Sequence, residues 1–191
     1  MARLLAVVAA IATLLLAPAT AGAQLPGGEI RLGAVFSLTG SGADYAAQQP
    51  SGAQLAVDEV NASGILGGAR LVLDVRDDGS DAPRAAALFG ELIDGGAVAL
   101  LGPTLSNSAL VADRVAQERG IPVMAVSNTG DGILDIGDVV FRDSLSERVV
   151  QPRTVEVSHR RLRYRRAAII WATPDAYARS GRDVFRQALR A

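Results

Sequence analysis

The chain has 191 residues, a formal net charge of −1 and no cysteine, which excludes disulfide-stabilised scaffolds and strongly basic nucleic-acid-binding proteins. With a single histidine, His159, and no cysteine, the chain lacks the ligands of a zinc site, and its Ser, His and acidic residues show no recognisable triad arrangement. The 49% hydrophobic content is sufficient for one sizeable packed core.

Residues 1–23 have the pattern of a cleavable secretory signal peptide. Arg3 precedes an apolar run over residues 4–17, and residues 21–23 (AGA) are the small residues that a signal peptidase recognises. Cleavage there leaves Gln24 as the N-terminus. The alternative is a membrane anchor, but the run is shorter than the ~20 apolar residues that spanning requires. We therefore expect a periplasmic or secreted protein without a lipid-modified cysteine.

Residues 29–36 (EIRLGAVF) are short, β-rich and half apolar, which predicts a strand. Residues 43–61 have helical spacing, and residues 61–64 (NASG) predict the helix end. The residues of the predicted apolar face are Ala53, Ala56, Val57 and Val60. Because Pro50 removes a hydrogen bond from a helix interior, we expect either a bend there or a helix that begins near Pro50.

Strands and helices then alternate along the rest of the chain. The further predicted strands are residues 70–76, 97–101, 122–126 and 167–172. The further predicted helices are one that Asp81 caps and that runs through residues 90–93, then residues 106–119 ended by Gly120, residues 145–162 and residues 177–190. This alternation with short loops predicts an α/β fold, a parallel sheet with helices on both faces.

The charge of the chain changes sign near residue 141. Residues 24–140 contain 6 Arg and 15 acidic residues, whereas residues 141–191 contain 12 Arg and 5 acidic residues. This change predicts that a second structural unit begins there. The expected organisation is therefore a signal peptide over residues 1–23, a first lobe over residues 24–140 and the start of a second over residues 141–191.

Hydroxyl side chains follow two neighbouring strands of the predicted sheet. Ser106 opens a helix after a buried strand, where it is placed either to cap the helix or to offer its hydroxyl to an anion. Ser127 and Thr129 follow the next strand. Because ligands bind beyond the carboxyl ends of parallel strands, we expect both loops to hold a carboxylate. The alternative is that these residues only form caps and turns.

Catalysis and nucleic-acid binding have no supporting motif. The sequence contains no G-x-S-x-G, no Walker loop and no G-x-G-x-x-G. The Arg-rich run over residues 160–166 indicates a solvated helix end, and His159 indicates a surface residue near that end. We therefore expect no catalytic residue, no cofactor, no metal ion and no nucleic-acid partner.

Residues 39–68 (TGSGADYAAQQPSGAQLAVDEVNASGILGG) resemble the N-terminal signature of periplasmic branched-chain amino acid-binding proteins, the substrate-binding subunits of ABC importers. The matching residues there are Gly52, Ala56, Val57-Asp58-Glu59-Val60-Asn61, Gly64, Gly67 and Gly68. Downstream, Asp77-Asp78, the Gly102-Pro103 loop and Gly120-Ile121-Pro122-Val123 also fit the family pattern.

The resemblance implies a type I periplasmic binding fold, in which two Rossmann-like lobes joined by a hinge close on an amino acid. It implies that Ser106, Ser127 and Thr129 bind the carboxylate or ammonium group of the ligand. It places Tyr45 beside the ligand side chain and assigns Tyr177 to the second lobe's share of the site.

Members of the resembled family are considerably longer than this chain. The second-lobe acid that pairs with the ligand's ammonium group in the family is therefore expected to be absent. The expected function is the binding component of an ABC importer for a branched-chain or related amino acid, with an ABC permease in the inner membrane as partner. The alternatives are a sensor or regulatory lobe for amides, urea or aromatic acids, and a non-functional truncated fragment.

Overall fold

The structure, a computed structural model, describes residues 28–190, and the predicted signal peptide lies outside them. The strands are β1 (Glu29–Phe36), β2 (Arg70–Asp77), β3 (Ala99–Leu101), β4 (Val123–Ala125) and β5 (Val140–Arg142). The helices are α1 (Ala43–Ala46), α2 (Gln49–Ser63), α3 (Ala82–Asp94), α4 (Ser106–Arg119), α5 (Glu147–Leu162) and α6 (Ala176–Ala188). None of these helices is both long enough and apolar enough to cross a membrane.

The strands form one parallel five-stranded sheet in the order β2-β1-β3-β4-β5. In β1 the side chains alternate between two apolar clusters: Val35 packs with α3 and α4, whereas Ala34 and Phe36 pack with Ala46 on the other face. A Cβ at Gly33 would lie 2.7 Å from Leu100 Cδ2, so the Leu100 side chain packs closely against this glycine. The predicted α/β fold with helices on both faces of a parallel sheet is confirmed.

The predicted helix over residues 43–61 is two helices, because α1 ends at Ala46 and α2 begins at Gln49. Pro50 lies in the first turn of α2, where an N–H has no partner within the helix, and this confirms the alternative of a helix that begins near Pro50. On the predicted apolar face Val57 is buried, but Ala56 is exposed, which corrects the prediction for that residue. The reason is that α2 packs mainly against the edge strand β2 and buries only a narrow stripe.

Local signals place α3 and α4 correctly. The Asp81 carboxylate accepts a 2.7 Å hydrogen bond from the Arg84 N–H and caps α3, as predicted. Helix α4 has the predicted bounds and ends at Gly120, whose φ of +66° lies in the left-handed region that glycine favours.

The predicted strand over residues 167–172 is wrong. These residues have no partner strand among residues 28–190, and Ile170 is 99% exposed. A β-rich sequence becomes a strand only where a neighbouring strand takes up its N–H and C=O groups. Without such a neighbour, the segment runs irregularly from α5 to α6.

The sheet extends to Arg142 through the pairing of β5 with β4, so it continues past the expected boundary at residue 140. Ser146 then caps α5 by accepting a hydrogen bond from the Arg148 N–H at 3.2 Å. Helices α5 and α6 pack against each other, and α6 also contacts α4. These contacts bring the start of α6 to the carboxyl edge of the sheet.

Candidate functional site

A cavity of about 430 Å³ lies beyond the carboxyl ends of β3 and β4. This volume is in the range of small-molecule sites. The residues that line it are Ser41, Tyr45, Thr104, Leu105, Ser106, Ser127, Thr129, Asp175 and Tyr177. The structure therefore brings all five residues of the sequence prediction, Tyr45, Ser106, Ser127, Thr129 and Tyr177, to the wall of one cavity.

The loop between β3 and α4 crosses the end of β1 at close range. Gly102 has a φ of +97°, and a Cβ at this position would lie 2.1 Å from the Val35 carbonyl oxygen, so no other residue fits. The Gly102–Pro103 peptide bond is cis. Asn128 Nδ2 donates to the Pro103 carbonyl oxygen at 3.0 Å and joins this loop to the loop after β4.

Ser106 is the first residue of α4 and does not cap it, because the capping position is Leu105. The prediction that Ser106 caps the helix is therefore wrong, and its binding of an anion stays a prediction. Its side chain is 4% exposed, and its Oγ accepts a hydrogen bond from the Gly130 N–H at 3.1 Å. The hydroxyl proton is left for another acceptor, next to the unpaired N–H groups of the first helical turn.

Ser127 holds the two loops together. Its Oγ donates to the Thr104 carbonyl oxygen at 2.8 Å and accepts from Gln49 Nε2 at 2.9 Å. Gln49 Oε1 in turn accepts from Thr104 Oγ1 at 2.7 Å, so a ring of side chains links α2 to both loops. Because the only hydroxyl proton of Ser127 is already used, this side chain can offer a ligand only a lone pair.

The roles of Gln49 and Thr104 were not predicted from the sequence. Thr104 also accepts a hydrogen bond from the Ser37 N–H at 3.0 Å, so it anchors the loop to the end of β1. Thr104 lies in the predicted binding loop, and its hydroxyl group was the feature of the sequence that could have indicated its role. No local signal distinguishes Gln49 from Gln48, because its partners are far away in the sequence.

The remaining predicted residues, Tyr45, Tyr177 and Thr129, differ in how far they are exposed to solvent. Tyr45 is 73% exposed and Tyr177 is 50% exposed, so both rings stand at the mouth. The pKa of Tyr177 is raised above its ordinary value, first by partial burial and then by the nearby Glu147 carboxylate. Thr129 is half-buried, and its side chain makes no hydrogen bond with another residue in the range 28–190.

Asp175 lines the same cavity and was not predicted. Its Oδ1 accepts a 2.7 Å hydrogen bond from the Ala178 N–H and caps α6. The start of α6 is docked on α4 by a 2.7 Å hydrogen bond from the Ala176 N–H to Asn107 Oδ1. The sequence could have indicated this cap, because Asp175 is an aspartate directly before a predicted helix, and the side chain of such a residue accepts from the N–H three positions later.

Glu147 is buried behind this part of the wall, at the start of α5. It is 3% exposed, and neither carboxylate oxygen has a hydrogen-bond partner within residues 28–190. Burial is the main cause that raises the pKa of Glu147, and the neighbouring carboxylates Asp131 and Asp175 raise it further, against the opposing effect of adjacent polar side chains. A Cβ at Gly181 would lie 2.8 Å from Glu147 Oε1, so α6 approaches the carboxylate closely.

A larger cavity of about 880 Å³ lies between α5, α6 and the segment that joins them. Its wall contains His159, Tyr164, Arg165 and Arg166, and none of the five predicted site residues. His159 lies in the last turn of α5 and is exposed, as are the arginines of the run that follows it, which confirms the prediction of a solvated helix end.

Curated proteins with similar sequences are amino acid-binding proteins. The Leu/Ile/Val-binding protein BraC3 of Rhizobium johnstonii is 27% identical over 174 residues, which cover 88% of this chain and 46% of that protein. The leucine-, isoleucine-, valine-, threonine- and alanine-binding protein of Pseudomonas aeruginosa is 27% identical over 114 residues, 59% of this chain and 31% of that protein. The chain therefore spans about half the length, or less, of these relatives.

Solved structures share the fold. The branched-chain amino acid transporter substrate-binding protein LivJ of Streptococcus pneumoniae, in complex with isoleucine, has a TM-score of 0.79 and 26% identity, over 85% of this chain and 47% of that one. A solute-binding protein of Rhodopseudomonas palustris in complex with 3,4-dihydroxybenzoic acid has a TM-score of 0.71 and 15% identity, over 85% and 44%. The sequence profile described as periplasmic binding protein matches residues 29–191, which is most of the chain. The chain belongs to the periplasmic binding protein family.

Proposed function

We propose that this chain is the first lobe and the beginning of the second lobe of an ABC importer's substrate-binding component, and that it binds a branched-chain or related amino acid. The proposed lobes are residues 24–140 and residues 141–191. The observation that carries the proposal is the hydroxyl-lined cavity of about 430 Å³ at the carboxyl ends of β3 and β4. Open α/β sheets bind their ligands in crevices outside the carboxyl ends of the strands.

The first turn of α4 supports binding of the ligand's carboxylate. Helix N-termini carry unpaired N–H groups and a partial positive charge, which favour an anion. Ser106 adds a hydroxyl whose proton is not used by the described protein, and Thr129 adds a second hydroxyl from the facing loop. Tyr45 and Tyr177 would border the ligand side chain at the mouth of the cavity.

The comparisons support the ligand class and the transport role at the level of the family. The curated relatives are named for leucine, isoleucine and valine. On this proposal, the protein works in the periplasm after removal of residues 1–23, and it delivers its ligand to an ABC permease of the inner membrane. The proposed role is recognition without catalysis.

The proposal is tested by ligand-dependent thermal stabilisation of the purified chain. L-leucine, L-isoleucine and L-valine are tried first, followed by 4-hydroxybenzoate, and we expect at least one amino acid to raise Tm. The double variant Ser106→Ala with Thr129→Ala should lose this rise, because both free hydroxyls are removed. Ser108→Ala is the matched control, since Ser108 is buried in the same helix but does not line the cavity.

Each outcome bears on a different part of the proposal. A chain whose Tm responds to none of the amino acids contradicts the proposed function. A rise with 4-hydroxybenzoate alone would instead favour an aromatic acid receptor. An equal rise in the wild type and the double variant would show that Ser106 and Thr129 do not form the site.

A further inference from the structure

Glu147 lies at a junction between α5, α6 and the loop that follows β4. It is the first residue of α5, and its backbone N–H donates to the Thr129 carbonyl oxygen at 3.3 Å. On the other side, a Cβ at Gly181 of α6 would lie 2.8 Å from Glu147 Oε1. The carboxyl therefore packs directly against α6, while its backbone is tied to a loop that lines the cavity.

Two further hydrogen bonds dock α6 on the loops of the cavity. The Asp131 N–H donates to Ser180 Oγ at 3.1 Å, and the Ala176 N–H donates to Asn107 Oδ1 at 2.7 Å. Tyr177 lies in the first turn of α6 and lines the cavity. A change that undocks α6 would therefore remove part of the cavity wall.

The Glu147 carboxyl is buried among groups that mainly oppose its ionisation. It is 3% exposed, and neither oxygen has a hydrogen-bond partner within residues 28–190. The charged and titratable groups at the junction are Asp131, Arg142, Arg148, Asp175 and Tyr177. Arg148 pairs with Asp131 at 2.5 Å, and Arg142 donates to the Gly130 carbonyl oxygen. The two aspartates would repel an ionised Glu147.

These surroundings couple the docking of α6 to a proton. Burial raises the pKa of Glu147 above its ordinary value of 4.5, and the two aspartates raise it further, although Ser180 and Gln151 lower it. When α6 undocks, the carboxyl regains water and its ordinary pKa, so the docked form holds a proton that the undocked form releases. Docking is therefore favoured at low pH and weakens as the pH rises through the raised pKa, by about tenfold for each pH unit over which the protonation differs.

We propose that Glu147 is a positioning residue of the binding site, which seats α6 against the loop after β4 when its carboxyl is protonated and releases α6 when the carboxyl is ionised. Ligand binding then weakens as the pH rises, because Tyr177 leaves the cavity wall together with α6. The pH dependence of binding rests on the proposed function and names a regulation of that site, whereas the movement of α6 does not depend on any ligand.

The movement of α6 is measured first, without a ligand. The chain contains no cysteine, so Glu118→Cys on α4 and Arg186→Cys on α6 attach two spin labels at exposed positions only. The distances between the labels, measured by pulsed electron paramagnetic resonance, should be narrowly distributed at pH 5 and should lengthen or broaden at pH 7. At pH 7 Asp113, whose pKa is about 8, still holds its proton and does not contribute.

Two further substitutions in the labelled chain isolate the Glu147 carboxyl. Glu147→Gln keeps the shape of the side chain without its charge, so the distances of pH 5 should persist at pH 7. Glu156→Gln is the matched control, because Glu156 is an exposed acid of the same helix, and it should leave the pH response unchanged. A wild-type distribution that does not change with pH, or a change that persists in Glu147→Gln, overturns the inference.

The effect on binding is measured by calorimetric titration of the unlabelled chain with L-leucine, L-isoleucine and L-valine at the same two pH values. The wild-type Kd should rise by about threefold or more from pH 5 to pH 7, because only the docked fraction is competent to bind. Glu147→Gln should bind with the same Kd at both pH values, and Glu156→Gln should follow the wild type.

The two measurements separate failure of this inference from failure of the proposed function. If the wild type binds none of the three amino acids at either pH, the proposed function fails, while the label distances still decide whether Glu147 controls α6. If binding occurs with the same pH dependence in the wild type and in Glu147→Gln, Glu147 does not regulate the site, and the proposed function stands.

Discussion

Asp113 is fully buried in α4, and neither of its carboxylate oxygens has a hydrogen-bond partner within residues 28–190. Loss of contact with water raises the pKa of this carboxyl from 3.8 to about 8. At neutral pH the folded protein therefore holds a proton there that the unfolded chain releases. A carboxyl without a partner in the core is a cost to folding that grows as the pH rises.

This residue predicts a pH dependence of stability. The folded state binds the extra proton between pH 3.8 and about 8. Protonation of Asp113 therefore contributes fully to the free energy of unfolding below this pH range, and the contribution is lost as the pH rises through the range. The loss is about 1.4 kcal/mol per pH unit while the difference in protonation persists. Asp113→Asn mimics the protonated carboxyl, so we expect its free energy of unfolding to match that of the wild type near pH 4 and to exceed it at pH 8.

Urea unfolding at the two pH values measures this difference. Glu118→Gln is the control, because Glu118 lies on the exposed face of the same helix, and its effect should be small at both pH values. If the gap between Asp113→Asn and the wild type is the same at pH 4 and pH 8, Asp113 does not bind a proton as described.

At the scale of the elements, Asn61 joins α2 to the edge strand β2. Its Oδ1 accepts from the Leu71 N–H at 2.8 Å, and its Nδ2 donates to the Leu71 carbonyl oxygen at 3.0 Å. The side chain thus satisfies both backbone groups of an edge residue, which would otherwise remain without a strand partner on that side. An asparagine suits position 61 because its amide group can donate one hydrogen bond and accept another at the same time.

Asn61→Ala should lower the free energy of unfolding by about 1–2 kcal/mol, because both hydrogen bonds are lost. Gln54→Ala is the matched control on the same helix, since Gln54 donates to Asp58 on the exposed surface. Its effect should stay within about 0.5 kcal/mol. Chemical denaturation of the two variants measures the difference, and equal midpoints would mean that Asn61 does not hold α2 against the sheet.

At the scale of the whole molecule, residues 1–23 predict export, which the structure does not describe. When the chain is produced with its own N-terminus in a Gram-negative host, we expect it in the periplasmic fraction with Gln24 as its first residue. N-terminal sequencing checks the cleavage site. Leu14→Arg with Leu15→Arg interrupts the apolar run and should keep the chain in the cytoplasm uncleaved, and export of that variant would contradict the signal-peptide prediction.

The sequence by itself determined the elements whose signals are local. The buried run of β1, the Asp81 cap of α3 and the Gly120 end of α4 each depend on residues within a few positions, and all three were placed correctly. The likeness to a known family, together with the rule that strand ends share one edge, also named five residues that line one cavity.

Only the tertiary structure decided which residues meet across long stretches of chain. The bond between Gln49 and Ser127 joins residues 78 positions apart. The bond between Ala176 and Asn107 joins residues 69 positions apart, and it brings the neighbouring Asp175 to the cavity. The failed strand at residues 167–172 has the same cause, because a strand depends on a partner that its own sequence does not contain. Periodicity and caps are properties of a segment, whereas a binding site and a strand pair are properties of the contacts between segments.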